Sequence, residues 1–225
     1  MEITTVKEPF LTSKSQAQRP LISSGSNAAI NSKRKALERF AEYLQNYTGM
    51  KLNAVDLEIL IENTKFKVLR RRQYLLQQGD ICQHMCFNIK GALRMFSVNE
   101  KGQEATLSLS LERSWIADRE SMGLQIPTVF NIVAVEDTEL MQFSSSQVEF
   151  LSQSVSAFAV MMKLQTKELA IETQKRVHAA LSMTAEERYH ELLENNPEFT
   201  QRFSQNMIAS YLGVKPETLS RLRKR

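Results

Sequence analysis

The sequence QNMIASYLGVKPETLSRLRKR, residues 205–225, constrains the fold of this chain more than any other stretch. Gly213 stands between two short amphipathic segments, where a tight turn needs a residue that tolerates a positive φ. Ser204 suits the N-cap of the first segment, and Pro216 suits the first turn of the second, because its missing N–H costs nothing there. The small Ala209 allows two helices to approach closely. The buried apolar positions of the predicted helix–turn–helix are Ile208, Leu212, Val214, Leu219 and Leu222.

The excess positive charge of the chain lies at this same end. The whole sequence has 29 basic and 25 acidic residues, for a net charge of +4. Residues 215–225 contain five of the basic residues and one of the acids, so the rest of the chain is balanced. Such a concentration is typical of a surface that binds a polyanion. The alternative is a solvated helix end, since cations also favour helix C-termini.

The second helix of a helix–turn–helix lies in the major groove of DNA, with its N-terminal residues against base edges. Arg221 suits bidentate pairing with guanine O6 and N7, and Glu217 suits a hydrogen bond from cytosine N4. The other basic side chains suit phosphates. The predicted residues that bind double-stranded DNA are Lys215, Glu217, Thr218, Ser220, Arg221, Arg223, Lys224 and Arg225. A helical hairpin used only for packing would leave the local charge without a role.

The segments between Phe66 and Phe143 indicate β-structure. They are short and rich in β-formers, and apolar residues alternate with polar ones, as in Met85, Phe87 and Ile89. Glycines recur at a spacing of roughly eleven residues and punctuate the run as hairpin turns do. This pattern predicts an antiparallel sandwich or barrel.

Changes of composition divide the chain into four parts. Residues 1–27 are rich in Ser, Thr, Gln, Lys and Pro without periodicity, which predicts a mobile tail. We expect N-terminal helices and the β-domain in residues 28–145, a long helix in residues 146–181 and the helix–turn–helix domain in residues 182–225. The predicted fold class is therefore α+β.

The long helix carries a row of side chains at the 4-3-4-3-4 spacing of a coiled coil. No Gly or Pro interrupts residues 148–181, so we expect one continuous helix, which a small β-domain cannot bury alone. A second apolar row, formed by Ala157, Met161, Leu164 and Ile171, lies beside the first, so one row can face a partner helix. The predicted homodimer interface is Leu151, Val155, Phe158, Met162, Gln165 and Leu169. The alternative is one wide stripe that faces the chain's own core.

Two stretches, in this order, resemble the Crp/Fnr family of bacterial transcription regulators. YLLQQGDICQHMCFNIKGALRMFSVNEKGQEATLSL (74–109) is similar to the β-roll signature of that family, and VKPETLSRLRK (214–224) is similar to its recognition helix. The resemblance implies a double-stranded β-helix of the cyclic nucleotide-binding type and a homodimer along the long helix. It also implies effector-modulated binding to a near-palindromic operator, with RNA polymerase as a further partner.

The chain departs from the family in the phosphate-binding cassette. Members that bind cyclic AMP carry F-G-E-L, whose Glu holds the ribose, and then R-S-A, whose Arg and Ser hold the cyclic phosphate. In the matching stretch of this chain, Ala117 and Asp118 replace Gly and Glu, and Thr128 and Val129 replace Arg and Ser. Because neither Thr128 nor Val129 supplies the charge-assisted hydrogen bond that the cyclic phosphate needs, we expect no cyclic AMP binding through these contacts. The candidate residues for another small-molecule effector are Ala117, Asp118, Arg119, Glu120, Ser121, Thr128 and Val129.

The sequence gives no indication of an enzyme, a cofactor-binding protein or a membrane protein. It holds no G-x-S-x-G, Walker, H-E-x-x-H or G-x-G-x-x-G motif, and its two cysteines are too few for an all-cysteine zinc or iron–sulfur site. No apolar run approaches the roughly 18 residues of a membrane span, and no apolar signal-peptide region follows the N-terminus. We therefore expect a cytoplasmic protein that is not an enzyme and has no cofactor.

Some interpretations stay open. Cys82 and Cys86 are either half-buried strand thiols or a redox-sensing pair. The three arginines of residues 70–72 are interpreted as a solvated strand end. The chain as a whole is either a DNA-binding regulator or a ligand-sensing or scaffolding β-roll protein whose DNA-binding role is secondary or lost. The intact helix–turn–helix pattern and its concentrated charge favour the regulator.

Overall fold

The computed structural model describes residues 24–223. The predicted tail lies outside the described residues up to residue 23, whereas residues 24–27 begin the first helix rather than ending the tail. The helices are α1 (Ser24–Thr48), α2 (Ala54–Glu62), α3 (Arg119–Leu124), α4 (Ser145–Ser154), α5 (Ser156–Ser182), α6 (Ala185–Asn195), α7 (Phe199–Arg202), α8 (Gln205–Leu212) and α9 (Pro216–Leu222). The strands are β1 (Lys65–Leu69), β2 (Tyr74–Leu76), β3 (Met85–Lys90), β4 (Leu93–Val98), β5 (Glu104–Ser110), β6 (Trp115–Ile116), β7 (Phe130–Ala134) and β8 (Thr138–Phe143).

The strands form two facing antiparallel sheets, in the orders β1-β8-β3-β6 and β2-β7-β4-β5. Alternate side chains of the two sheets meet in a common core that includes Leu93, Ile132 and Leu140. Gly91 is required at the β3–β4 turn, because it has a φ of +98° and an added Cβ would lie 2.6 Å from the carbonyl oxygen of Asp137. The predicted α+β class and antiparallel β-roll are confirmed.

A second core joins the β-roll to the helices. Phe40 of α1 is fully buried, and its ring centroid lies 5.0 Å from that of Phe87 in β3 and 5.5 Å from that of Phe143 in β8. Phe158 of α5 completes the cluster, with its centroid 6.4 Å from that of Phe40. Burial of one such ring stabilises a fold by about 1.5–3 kcal/mol. The helices α1 and α5 are therefore part of the core that supports the roll.

The predicted continuous helix is wrong at one position, Val155. Its backbone is extended, with φ −122° and ψ 103°, and α4 ends there before α5 begins at Ser156. The β-branched Val155 favours an extended backbone, and its side chain is fully buried in the second core. Burial of this side chain thus breaks the helix without any Gly or Pro.

The C-terminal helices follow the predicted caps. The Thr184 hydroxyl and the Glu187 carboxylate cap each other's backbone N–H at the start of α6. The Ser204 hydroxyl accepts from the N–H of Met207 at the start of α8, and Gly213 has a φ of 67°. The predicted helix–turn–helix is confirmed, with α8 as its first helix and α9 as its second.

Candidate nucleic-acid interface and sensor cassette

One side of α9 is held in the protein and the other is exposed. Leu219 is buried among the apolar side chains of α6–α8, whereas the side chains of Glu217 and Arg221 are exposed. Neither of these two side chains forms an ion pair within residues 31–223. The exposed face of α9 therefore presents one acceptor and one forked donor, neither of which is ion-paired with another described residue.

The remaining predicted DNA contacts surround this face. Lys215 and Arg223 are exposed at the two ends of α9, and Thr218 and Ser220 are half-buried. Lys224 and Arg225 lie outside the described residues. All the described members of the predicted set thus lie on or beside one short helix, where they can meet a single groove and its phosphates.

The first helix of the motif is attached to the β-roll through Ser210. Its hydroxyl accepts from the backbone N–H of Thr106 at 2.9 Å and donates to the carbonyl oxygen of Glu104 at 3.1 Å. Nearby, the Arg176 guanidinium of α5 lies 4.5 Å from the ring centroid of Tyr211 and donates to the carbonyl of Leu107. These bonds hold α8 along β5.

Arg202, at the end of α7, forms a second attachment. Its guanidinium nitrogens lie 2.6 and 2.7 Å from the two carboxylate oxygens of Glu136 and 3.0 and 3.2 Å from those of Glu112. Hydrogen bonds to Glu136 and Glu112 raise the pKa of Arg202. Burial alone would raise the pKa of Glu112, but hydrogen bonds from Arg202 and from the Gly91 N–H outweigh it and lower that pKa. We call this cluster of Arg202, Glu112 and Glu136 the clamp.

Neither attachment is visible in the sequence. The clamp joins residues of the β-roll to a residue far along the chain, and each of them looks like an ordinary surface charge in the sequence. The short helix α7 was not predicted either. The clamp and Ser210 fix the helix–turn–helix on the roll and leave the exposed face of α9 open.

The candidate effector residues form a closed cluster around Asp118. This buried carboxylate accepts from the backbone N–H groups of Glu120 and Ser121 at 3.1 and 3.2 Å, and from the Thr128 hydroxyl at 2.5 Å. The Ser121 hydroxyl in turn donates to the Ile126 carbonyl at 2.6 Å. Asp118 thereby caps α3 and ties it to the loop before β7.

The other candidate effector residues lie around this cluster. Ala117 is half-buried, and Arg119, Glu120 and Val129 are exposed. Backbone N–H groups at the start of a helix are the donors that a bound anion normally takes. Because the carboxylate of Asp118 already occupies two of them, the cassette is filled by an anionic group of its own chain.

Comparison with known proteins agrees with this architecture. Residues 66–154 match the family described as cyclic nucleotide-binding domain. The chain is 25% identical over 186 residues to the transcriptional activator protein Anr of Pseudomonas aeruginosa, covering 77% of this chain and 75% of that protein. The resemblance to the Crp/Fnr family is confirmed. No helix among residues 24–223 has the length and apolar character needed to cross a membrane.

Solved structures share the fold of this chain. FixK2 from Bradyrhizobium japonicum matches with a TM-score of 0.60 at 16% identity, over 72% of this chain and 83% of that one. A CooA variant from Carboxydothermus hydrogenoformans matches with a TM-score of 0.62 at 15% identity, over 80% of this chain and 81% of that one. Because both identities are low, these two comparisons show a shared arrangement of the roll and helices and nothing further.

The predicted dimer interface is wrong for three residues. Leu151, Val155 and Phe158 are fully buried in the chain's own second core, where they contact α1 and the roll. Side chains without exposed surface cannot meet a partner, so this part of the row faces inward. Met162 and Gln165 are half-buried, and Gln165 donates to the Tyr43 hydroxyl of α1. For Met162, Gln165 and Leu169 the interface stays a prediction.

The two cysteines are buried free thiols. Burial raises the pKa of Cys86 to about 12 and also raises the pKa of Cys82. Both side chains therefore stay protonated near neutral pH. Because the thiolate is the reactive form of cysteine, both thiols are unreactive there. Their environment favours the interpretation as structural thiols over that of a redox-sensing pair.

Proposed function

We propose that this chain is a sequence-specific DNA-binding transcription regulator of the Crp/Fnr type that acts as a homodimer. The observation that carries the proposal is the exposed face of α9, where Glu217 and Arg221 have no partner among the described residues. The first helix α8 is held on the roll, so α9 is a rigid element that can enter a major groove. The similarity to a protein named transcriptional activator supports regulation over catalysis.

The exposure of α5 supports the dimer. Every residue from Thr166 to His178 is exposed, and an isolated helix of this kind is marginally stable in water. Val160, Leu164 and Ile171 fall on one side of α5, next to the side that packs on the second core. We call these three residues the outer row. The outer row is where a second copy of α5 would pack in parallel.

The closed cassette bears on the effector. An incoming cyclic phosphate would have to displace the Asp118 carboxylate from two N–H groups and the Thr128 hydroxyl. It would then face a buried like charge, which repels it. The β-roll of this regulator therefore works without cyclic nucleotides and either is structural or responds to a different small molecule.

In-vitro selection from a pool of random duplexes tests the proposed function. We expect enrichment of an inverted repeat, because a two-fold symmetric dimer places two recognition helices about one helical turn apart. Enrichment should be the same with and without cyclic AMP. A pool that stays random would refute DNA-sequence recognition, and enrichment only with cyclic AMP would overturn the argument from the cassette.

A further inference from the structure

Three consecutive arginines, Arg70, Arg71 and Arg72, form the turn between β1 and β2. The turn is fixed by Asp137, whose carboxylate accepts from the backbone N–H of Arg71 at 2.8 Å and from the Arg70 side chain at 3.0 Å. The Arg72 N–H donates to the carbonyl of Ala134 at 2.7 Å. The backbone of this exposed turn is therefore held in one place on the roll.

The guanidinium groups of Arg71 and Arg72 have no ion-pair partner in the part of the chain that the structure describes. Both side chains are exposed. The nearby carboxylates are already paired: Asp137 is paired with Arg70, and Glu136 with Arg202. The turn thus presents two unpaired positive charges on a fixed backbone.

Arg71 also faces the helix–turn–helix. It lines an open cleft of about 450 Å³ together with Val135, Glu136, Asp137, Arg202, Ser204 and Met207. Ser204 is the N-cap of α8, and Gln205 and Asn206 in the first turn of that helix are exposed and polar. The first helix of a helix–turn–helix crosses the DNA backbone, and helix N-termini are common phosphate contacts.

We propose that Arg71 and Arg72 of the β-roll bind backbone phosphates of DNA that flanks the base pairs contacted by α9. This proposal rests on the proposed DNA-binding function and extends the interface from the C-terminal domain to the roll. Guanidinium groups bind phosphate through paired N–H donors. The contact is independent of base sequence, and its strength falls as salt rises.

The test compares two duplexes that carry the same selected inverted repeat. The short duplex ends at the outer edge of the repeat, and the long one continues for about one helical turn, roughly 10 base pairs, on each side. The full chain should bind the long duplex several-fold more tightly. The double variant Arg71→Gln/Arg72→Gln should lose that advantage, and its salt dependence on the long duplex should fall by about one unit of slope for each phosphate that the variant no longer binds.

The control variant is Lys65→Gln, which removes an exposed positive charge at the opposite end of β1 and should keep the preference for the long duplex. Equal binding of the two duplexes by the wild-type chain would overturn the flanking contact and leave DNA recognition intact. Equal loss on both duplexes by the arginine variant would also overturn it. A variant that binds the long duplex normally yet fails to activate transcription would assign the arginines to a protein partner. Absence of selective binding by the wild-type chain would instead refute the proposed function.

Discussion

At the scale of single residues, the exposed face of α9 separates base contacts from phosphate contacts. Arg221→Ala removes a fork that suits guanine, so preference at one base pair of the selected operator should fall by about 1–3 kcal/mol. Arg223→Ala removes a charge at the end of the helix and should weaken binding to all DNA sequences alike. The slope of the logarithm of the binding constant against the logarithm of the salt concentration should become shallower by about one. Fluorescence anisotropy on single-substituted operators measures both effects. If Arg221→Ala leaves every base preference unchanged, its assignment to base contacts is wrong.

Asp118 yields a second prediction at this scale. In Asp118→Asn the three buried hydrogen bonds lose their charged acceptor, and the Thr128 hydroxyl must accept from the new amide nitrogen if the amide oxygen keeps the two backbone N–H groups. We expect the free energy of unfolding to fall by about 1–3 kcal/mol. Urea titration measures the loss, and the exposed neighbour variant Glu120→Gln serves as the control. Equal stability of Asp118→Asn and Glu120→Gln would show that the cluster does not close the cassette.

At the scale of helices and strands, some features are determined by nearby residues and others by tertiary packing. Ser204, Gly213 and Pro216 act on backbone groups within a few residues of themselves, and all three were assigned correctly from the sequence. The break at Val155 has no such local signal, because it comes from the insertion of that side chain into a core built by α1 and the roll. The same tertiary packing turned half of the predicted dimer row inward.

Two candidate faces of α5 remain for the partner helix. Ile171 belongs to the outer row, and Leu169 belongs to the row predicted from the sequence. The two positions are about 160° apart around the helix. Both are exposed, so neither substitution disturbs the core. We expect Ile171→Glu to give monomers in sedimentation equilibrium and Leu169→Glu to remain dimeric. The reverse result would restore the original row, and two dimeric variants would contradict pairing through α5.

At the scale of the whole molecule, the clamp controls how the helix–turn–helix is docked. Arg202→Gln leaves Glu112 and Glu136 without a cation, so the backbone amides of β5 should exchange hydrogen for deuterium faster. Arg34→Gln is the matched control, because its pair with Glu38 is exposed and such pairs contribute little. Unchanged exchange in Arg202→Gln would show that Ser210 and the apolar contacts hold the domain alone.

The clamp also predicts a pH dependence of docking. Because the pKa of Glu112 lies below its ordinary value of 4.5 in the docked state, the ionised carboxylate favours docking. Its contribution is complete above that ordinary value and is lost as the pH falls through the lowered pKa. Protection of β5 amides should therefore decrease in mild acid, and the decrease should be smaller in Glu112→Gln. An identical acid response in Glu112→Gln would contradict the role of this carboxylate.

The sequence predicted the roll and the helix–turn–helix, but it did not predict how they meet. Alternation, glycine turns and helix caps are local signals, and these two parts depend on them. The docking depends on Arg202 and Ser210, whose partners Glu112 and Thr106 lie far away along the chain. No periodicity marks such polar pairs in a single sequence. The closed cassette was predicted only in part, because the substitutions were visible but the inward position of Asp118 was not.

Sequence recognition by the homodimer is the central claim, and the specificity ratio tests it most directly. This ratio compares the Kd for a scrambled duplex with the Kd for the selected inverted repeat of equal length, at one physiological salt concentration. We predict a ratio of about 10³ or more, as is typical of specific regulators, and a smaller ratio for Arg221→Ala. A ratio near one for the wild-type chain would mean that the basic end binds DNA only as a polyanion, and it would contradict the proposed function.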